Sequence, residues 1–179
     1  MIGGLNIALE VARREFLLGN QNSDDRNESL SKWVEDIENQ KTKGYVQERI
    51  IKQMEWYRAK SMVYKIKYQR WTTCSIILSG IIPVVSILAD GRIGIKLLIA
   101  ALGSMVTGIS AYLNLHNYKD LWGKYRFNRE WLLSILYLYI NQTGVFKKEL
   151  SQESRDEMLI QMCEKCFQQE INYWKSLNE

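Results

Sequence analysis

WTTCSIILSGIIPVVSILADGRIGIKLLIAALGSMVTGISAYLNL, residues Trp71 to Leu115, decides how the chain is read. Two apolar runs stand back to back around Asp90-Gly91-Arg92. Nothing is charged from Thr72 to Ala89, and nothing from Leu97 to Tyr118. A helix rises 1.5 Å per residue, so the first run covers roughly 27 Å, close to the ~30 Å hydrocarbon core of a bilayer. The core helix of a soluble domain keeps a polar face at a period near 3.6. These runs are apolar nearly all round, broken mainly by small Ser, Thr, Gly and Cys and, at the end of the second, by Asn114, His116 and Asn117. The stretch reads as a transmembrane hairpin with spans at 72–89 and 93–115; the alternative is a buried hairpin in a soluble helical domain.

Averages conceal this segregation. The chain has 179 residues, 25% of them charged and 46% hydrophobic, with a net charge of +4. Its mean hydropathy is -0.26, an ordinary value for a soluble protein. The length fits one domain with a real core. The opening residues, MIGGLNIALEVARREF, lack a basic start and are interrupted by Glu10, Arg13, Arg14 and Glu15, so no signal peptide is read there and the first span is expected to act as its own insertion signal.

Orientation follows from the flanks. Arg58, Lys60, Lys65, Lys67 and Arg70 precede span one with no acidic residue among them. Lys119, Lys124, Arg126 and Arg129 follow span two, against Asp120 and Glu130. The tip holds only Asp90, Arg92 and Lys96, the last able to snorkel outward. The positive-inside rule places both termini in the cytoplasm and the tip outside. Trp56, Tyr57, Tyr64, Tyr68 and Trp71 before span one, and Tyr112, Tyr118, Trp122 and Tyr125 after span two, read as an aromatic belt on the cytoplasmic side. The basic excess is local and suits topology and anionic headgroups; nucleic acid is not an expected partner.

Outside the hairpin the chain is helical. Ile2, Leu5, Leu9, Ala12 and Phe16 mark an amphipathic first helix, and Asn20 to Ser29 a polar connector. Leu30, Trp33, Val34 and Ile37 mark a second helix ending near Gly44. From Val46 the set Ile50, Met54, Tyr57, Ser61, Tyr64, Tyr68 and Trp71 runs in helical phase into span one, predicting one long helix kinked at Pro83. Span two runs on through Trp122 to Trp131–Ile140, an apolar segment too short to cross a bilayer and therefore buried, with Gly144 as its stop. The last helix opens on Ser154-Arg155-Asp156-Glu157, a capping-box pattern, and buries Met158, Met162, Cys163, Cys166, Phe167, Ile171 and Trp174. Strand alternation is absent. The fold expected is an all-α membrane protein: N-terminal cytoplasmic helices (1–45), a stem helix (46–70), the transmembrane hairpin (71–115) and C-terminal cytoplasmic helices (116–179). It is expected to form a homo-oligomer, because two spans alone enclose no conduit.

Chemistry is sparse. His116 is a lone interfacial histidine, expected to be solvated. Cys163-Glu164-Lys165-Cys166 is a CxxC without a second ligand pair, and core packing is its expected role. No P-loop, GxGxxG, GxSxG or HExxH motif occurs. No catalytic residue, metal or cofactor is expected, and the chain is not read as an enzyme. What remains is the pattern inside the spans. Thr72, Ser75, Ser79 and Ser86 line one side of span one. Ala100, Ser104 and Gly108 form small-xxx-small in span two, beside a polar stripe of Ser104, Thr107, Ala111 and Asn114. Small residues let helices approach and hydroxyls bond across the contact, so Ser75, Ser79, Ser104, Thr107, Gly108, Ala111 and Asn114 are candidates for helix packing or for the wall of a pore. Arg126 and Glu130, spaced i,i+4, and Trp122 are candidates for an inter-helix or gating contact.

WYRAKSMVYKIKY (56–68), IIPVVS (81–86), IAALGSMVTGISAYLNL (99–115), LWGKYRFNREWLL (121–133) and the closing EINYW occur in an order and spacing similar to the SLATT superfamily, SMODS- and SLOG-associating two-transmembrane effectors. The resemblance covers about residues 46–176. It implies a membrane effector of bacterial antiphage conflict systems, forming pores or disrupting the membrane when a partner detects infection. That trigger would come from a cytoplasmic sensor protein or a nucleotide second messenger, since the chain carries no recognisable sensor domain. Its partners would be copies of itself and the lipid bilayer. A non-conducting membrane scaffold that recruits a cytoplasmic partner is the alternative.

Overall fold

A computed structural model describes residues 30, 32–35, 37–87 and 93–176. The expected first helix, the polar connector and the hairpin tip at Asp90-Gly91-Arg92 lie outside the described residues. Those described are almost wholly helical, with no strand among them. A short helix α1 (Gln40–Tyr45) passes through a π-helical stretch (Val46–Ile51) into α2 (Lys52–Ile87). Then come α3 (Ile93–His116), α4 (Tyr118–Ile140), a 3-10 turn (Gly144–Phe146) and α5 (Gln152–Ser176).

The chain divides into two compact units, one of Met1–Ile51 with Leu136–Gln168, the other of Lys52–Ile135 with Gln169–Glu179. The first has a conventional core. Leu30, Val34, Val46, Ile50, Leu136, Tyr139, Phe146, Leu159, Cys163 and Phe167 are all buried in it. Trp33 packs edge-on against Tyr137, ring centres 5.1 Å apart. The expected stop at Gly44 is not found: Asn39 opens α1 by accepting the Lys41 N–H at 3.0 Å, and the helix continues through Gly44. Thr42, Val46, Ile50 and Met54 are each four residues apart and all buried. In a pure α-helix that spacing drifts around the axis, and the wider π turn takes up the drift.

Two further ends differ from expectation. The buried segment after span two stops at Ile140 rather than at Gly144. Gln142 adopts φ 51°, its N–H bonds the Tyr139 carbonyl at 3.1 Å, and the Thr143 N–H bonds the Leu138 carbonyl at 3.0 Å. That pair of bonds is a Schellman ending, with Gln142 in the left-handed position usually given to glycine. At α5 the cap is Ser151, not Ser154: Ser151 Oγ accepts the Ser154 N–H at 3.2 Å. The buried stripe of α5 is Arg155, Asp156, Leu159, Cys163, Phe167 and Glu170; Met158, Met162 and Cys166 are half-buried and Ile171 is exposed.

The second unit holds the hairpin. α2 runs unbroken through Pro83 as far as Ile87. Along the two apolar runs α2 and α3 lie against each other, and only one side of each run is partly covered. On α2 those residues are Thr72, Ser75, Leu78, Ile82 and Val85; on α3 they are Ile95, Ile99, Leu102, Gly103, Val106, Ile109 and Leu113. The rest is bare: Ile76 is 63% exposed, Ile87 84% and Leu97 66%. Both helices are long and apolar enough to cross a membrane, and their most apolar windows are 0% buried. The core helix of a soluble domain would be covered by that domain, and these two helices are not.

The aromatic residues flanking the spans pack on one another. Tyr64 stacks on Tyr125 (5.7 Å, 13°), Trp56 meets Tyr125 edge-on at 5.3 Å, and Trp71 contacts Tyr112 at 5.5 Å. Tyr57, Tyr118 and Tyr125 are buried. Trp56 and Trp71 are also separated by about 22 Å of helix, more than one interfacial layer spans. The expected aromatic belt is therefore in large part a ladder of rings between α2 and the α3–α4 segment, and Trp71 with Tyr112 stands at the end nearest the apolar runs.

Candidate functional site

The candidate site is the outward side of α3. Ser104, Thr107, Gly108, Ala111 and Asn114 are all exposed. At about 100° per residue their stripe points nearly opposite the seam of Leu102, Val106, Ile109 and Leu113 that meets α2. On α3 hairpin closure therefore uses mainly bulky apolar residues, with Gly103 among them, and the stripe of small and polar residues faces away from it. A methyl group added at Gly108 would meet nothing within 4 Å. Ser75 lies in the seam on α2, whereas Ser79 is exposed.

Each hydroxyl of this stripe is satisfied within its own helix. Ser104 Oγ donates to the Ala100 carbonyl at 2.9 Å, Thr107 Oγ1 to the Gly103 carbonyl at 3.0 Å, and Ser110 Oγ to the Val106 carbonyl at 3.0 Å. On span one Ser79 Oγ donates to the Ile76 carbonyl at 2.9 Å. Back-bonding of this kind lets hydroxyls sit in an apolar medium while their oxygens keep spare acceptor capacity.

Span two does not run straight into the following helix. Asn117 takes a left-handed φ of 46°, and its carbonyl accepts the Leu121 N–H at 3.0 Å, starting α4 afresh. Asparagine tolerates this conformation better than most residues. His116 beside it lies against the rings of Tyr112 and Tyr118, 4.4 and 5.2 Å away.

Of the proposed gating residues, Trp122 is half-buried with the Lys65 ammonium 5.9 Å from its ring centre. Arg126 is exposed. Glu130 is bridged by its chain neighbour Arg129 at 2.9 Å, and its side chain stays 46% exposed.

Sequence reasoning missed three tyrosine–carboxylate contacts that hold α5. In the first unit Asp156, 4% exposed, receives Tyr139 Oη at 2.5 Å, Asn39 Nδ2 at 2.7 Å, Gln152 Nε2 at 2.8 Å and Thr42 Oγ1 at 2.9 Å. Burial and the bond to Asp156 push the Tyr139 phenol well above its ordinary range. Glu164 accepts from Tyr45 Oη at 2.9 Å and pairs with Arg49 at 3.2 Å. In the second unit Tyr57 donates to Glu170, and the Lys124 ammonium sits over the Tyr173 ring. No local pattern announces these contacts, because the partners lie far apart in the chain. The CxxC holds core sulfur: Cys163 is fully buried, and burial pushes its thiol up to about 12. Among the described residues no group of His, Cys, Asp and Glu could hold a metal.

No curated protein and no solved structure matches the chain. A family model does, over residues 45–174: SMODS and SLOG-associating 2TM effector domain 1. That match takes in both apolar helices, the aromatic ladder and nearly all of α5, so the chain belongs to the SMODS and SLOG-associating two-transmembrane effector family, whose members are membrane-associated effectors.

Proposed function

We propose that several copies assemble in a bacterial inner membrane, termini in the cytoplasm, into a pore or membrane-perturbing assembly that acts as an antiphage effector. The observation that carries this reading is the direction of the polar stripe. Ser104, Thr107, Ala111 and Asn114 face away from the seam with α2, where only lipid or another copy can meet them. An asparagine facing lipid is costly, and facing water or a neighbouring helix removes the cost. Cyclic assembly of hairpins turns such stripes toward a common axis, where spare hydroxyl and amide acceptors serve a hydrated path. The trigger is a cytoplasmic sensor protein or a nucleotide second messenger acting on the helices outside the spans. No enzymatic step belongs to this reading.

One observation favours a non-conducting scaffold instead. The hydroxyls of Ser104, Thr107 and Ser110 are already bonded within α3, which also suits a dry packing stripe. Dye or ion flux from liposomes separates the two. Under the pore reading Ser104→Leu with Thr107→Leu abolishes flux while the oligomer keeps its size. Under the scaffold reading the parent chain is silent and the double variant dissociates.

A further inference from the structure

We infer that the exposed face of α4 around Gly123 and Phe127 is a docking surface for a second copy of this chain, outside the membrane spans. The inference rests on the homo-oligomer reading above and gives that assembly a contact of its own.

Three features of α4 meet on this face. Tyr125, Leu132, Leu133 and Leu136 are buried on one side of the helix, and Gly123, Arg126, Phe127 and Glu130 are exposed on the other. Phe127 is 66% exposed, a large apolar ring uncovered within its own chain. Its near neighbour Tyr125 packs on Trp56, which lies about 22 Å along the unbroken α2 from Trp71, whereas the headgroup layer adds only about 5–8 Å per side, so lipid does not account for the ring.

Gly123 is the second feature. Glycine inside an exposed helix is destabilising relative to alanine. A methyl group added there would meet nothing within 4 Å, so the chain's own packing gives no reason for the missing side chain. A neighbour's ring lying against the bare backbone supplies one.

Direction and charge select the occupant. Copies inserted by the same rule lie parallel and at equal height in one bilayer. Helical side chains lean toward the helix N-terminus, so the ring of Phe127 rides over the turn before it, level with Gly123 of an equal-height neighbour. Arg126 and Glu130 sit one turn apart on the same face with opposite charges, and Glu130 keeps 46% of its side chain exposed beside Arg129. Long side chains span that one turn, so Arg126 of one copy can reach Glu130 of an equal-height neighbour, and the face complements itself.

The test uses the full chain in nanodiscs of mixed zwitterionic and anionic lipid, with particle mass measured across protein loadings. Gly123→Leu and Phe127→Ala are each expected to reduce the assembled fraction at least tenfold. The melting temperature of Gly123→Leu stays level or rises, because the added side chain meets no atom of its own chain. A parent chain that is monomeric at every loading, or two variants with the parent's stoichiometry, overturns the inference. Flux of the parent, read in parallel, keeps the two proposals distinguishable. Parent flux with unaffected variant assembly removes this contact and leaves the pore; dissociating variants keep the contact whether or not the untriggered parent conducts.

Discussion

Tyr57 donates its hydroxyl to the carboxylate of Glu170, and both side chains are buried. Tyr57 stands on the helix that becomes the first span, and Glu170 on the last helix of the chain. The contact thus ties α5 to the stem of that helix. Replacing Tyr57 with Phe leaves a buried carboxylate without that donor, and should cost about 1–3 kcal/mol of stability. Glu170→Leu in the Tyr57→Phe background should recover part of the loss, because both polar partners are then gone. Urea unfolding in detergent, followed by tryptophan fluorescence, measures both.

Asp156 is the equivalent point in the first unit, with four donors from Asn39, Thr42, Tyr139 and Gln152. Asp156→Ala removes the acceptor they share, leaving Gln152 only its bond to Tyr139 Oη at 3.1 Å, and a loss of about 3–5 kcal/mol is expected. Asp156→Asn keeps one acceptor oxygen and should lose about half as much. Limited proteolysis between 136 and 168 reports the local opening.

Gln142 holds φ 51° without being glycine. Left-handed backbone costs a residue with a Cβ about 1 kcal/mol that glycine does not pay. Gln142→Gly should therefore raise stability by up to about 1 kcal/mol, although glycine in a loop usually lowers it. A fall in the melting temperature would contradict the Schellman assignment.

Alkaline pH should weaken the domains outside the membrane. Burial raises the Cys163 thiol from 9.0 to about 12, and the Tyr125 phenol from 10.0 to about 12. The folded state keeps these protons to higher pH than the unfolded state. Their stabilising contribution is complete below pH 9, and is lost as pH rises from there toward 12, at up to about 1.4 kcal/mol per unit and group. Denaturant midpoints between pH 8 and 11 should fall, and Cys163→Ala should flatten the first part of that fall. A maleimide at pH 7 should leave Cys163 unlabelled in the folded chain.

The hairpin was legible because charge is absent from two bilayer-length stretches, a signal that needs no partner. The stem phase from Ile50 to Tyr68, the buried Trp131–Ile140 segment and the family resemblance over 46–176 were legible for a related reason: each is periodic or ordered along the chain. Helix ends were not. Gly44 stays helical, while Gln142 does what Gly144 was expected to do, since a cap is decided by hydrogen bonds that propensity only biases. Asn117 broke a helix that the apolar pattern carried straight through. The tyrosine–carboxylate ties escaped entirely: Tyr45 and Glu164 are 119 residues apart, and nothing local marks either. For the stripe on α3, spacing placed Ser104, Thr107, Ala111 and Asn114 on one side, but only the packed hairpin shows that its seam runs along the other.

The most direct measurement of the central proposal is cysteine accessibility during flux. With Cys74 replaced by alanine, Thr107→Cys and Val106→Cys are reconstituted separately, and a charged, water-soluble thiol reagent is added while ion flux is recorded. If the stripe walls a conduit, Thr107→Cys reacts and flux is blocked, whereas Val106→Cys in the seam stays inert and conducts. Flux that continues with Thr107→Cys unmodified would contradict a water-filled path along this face of span two.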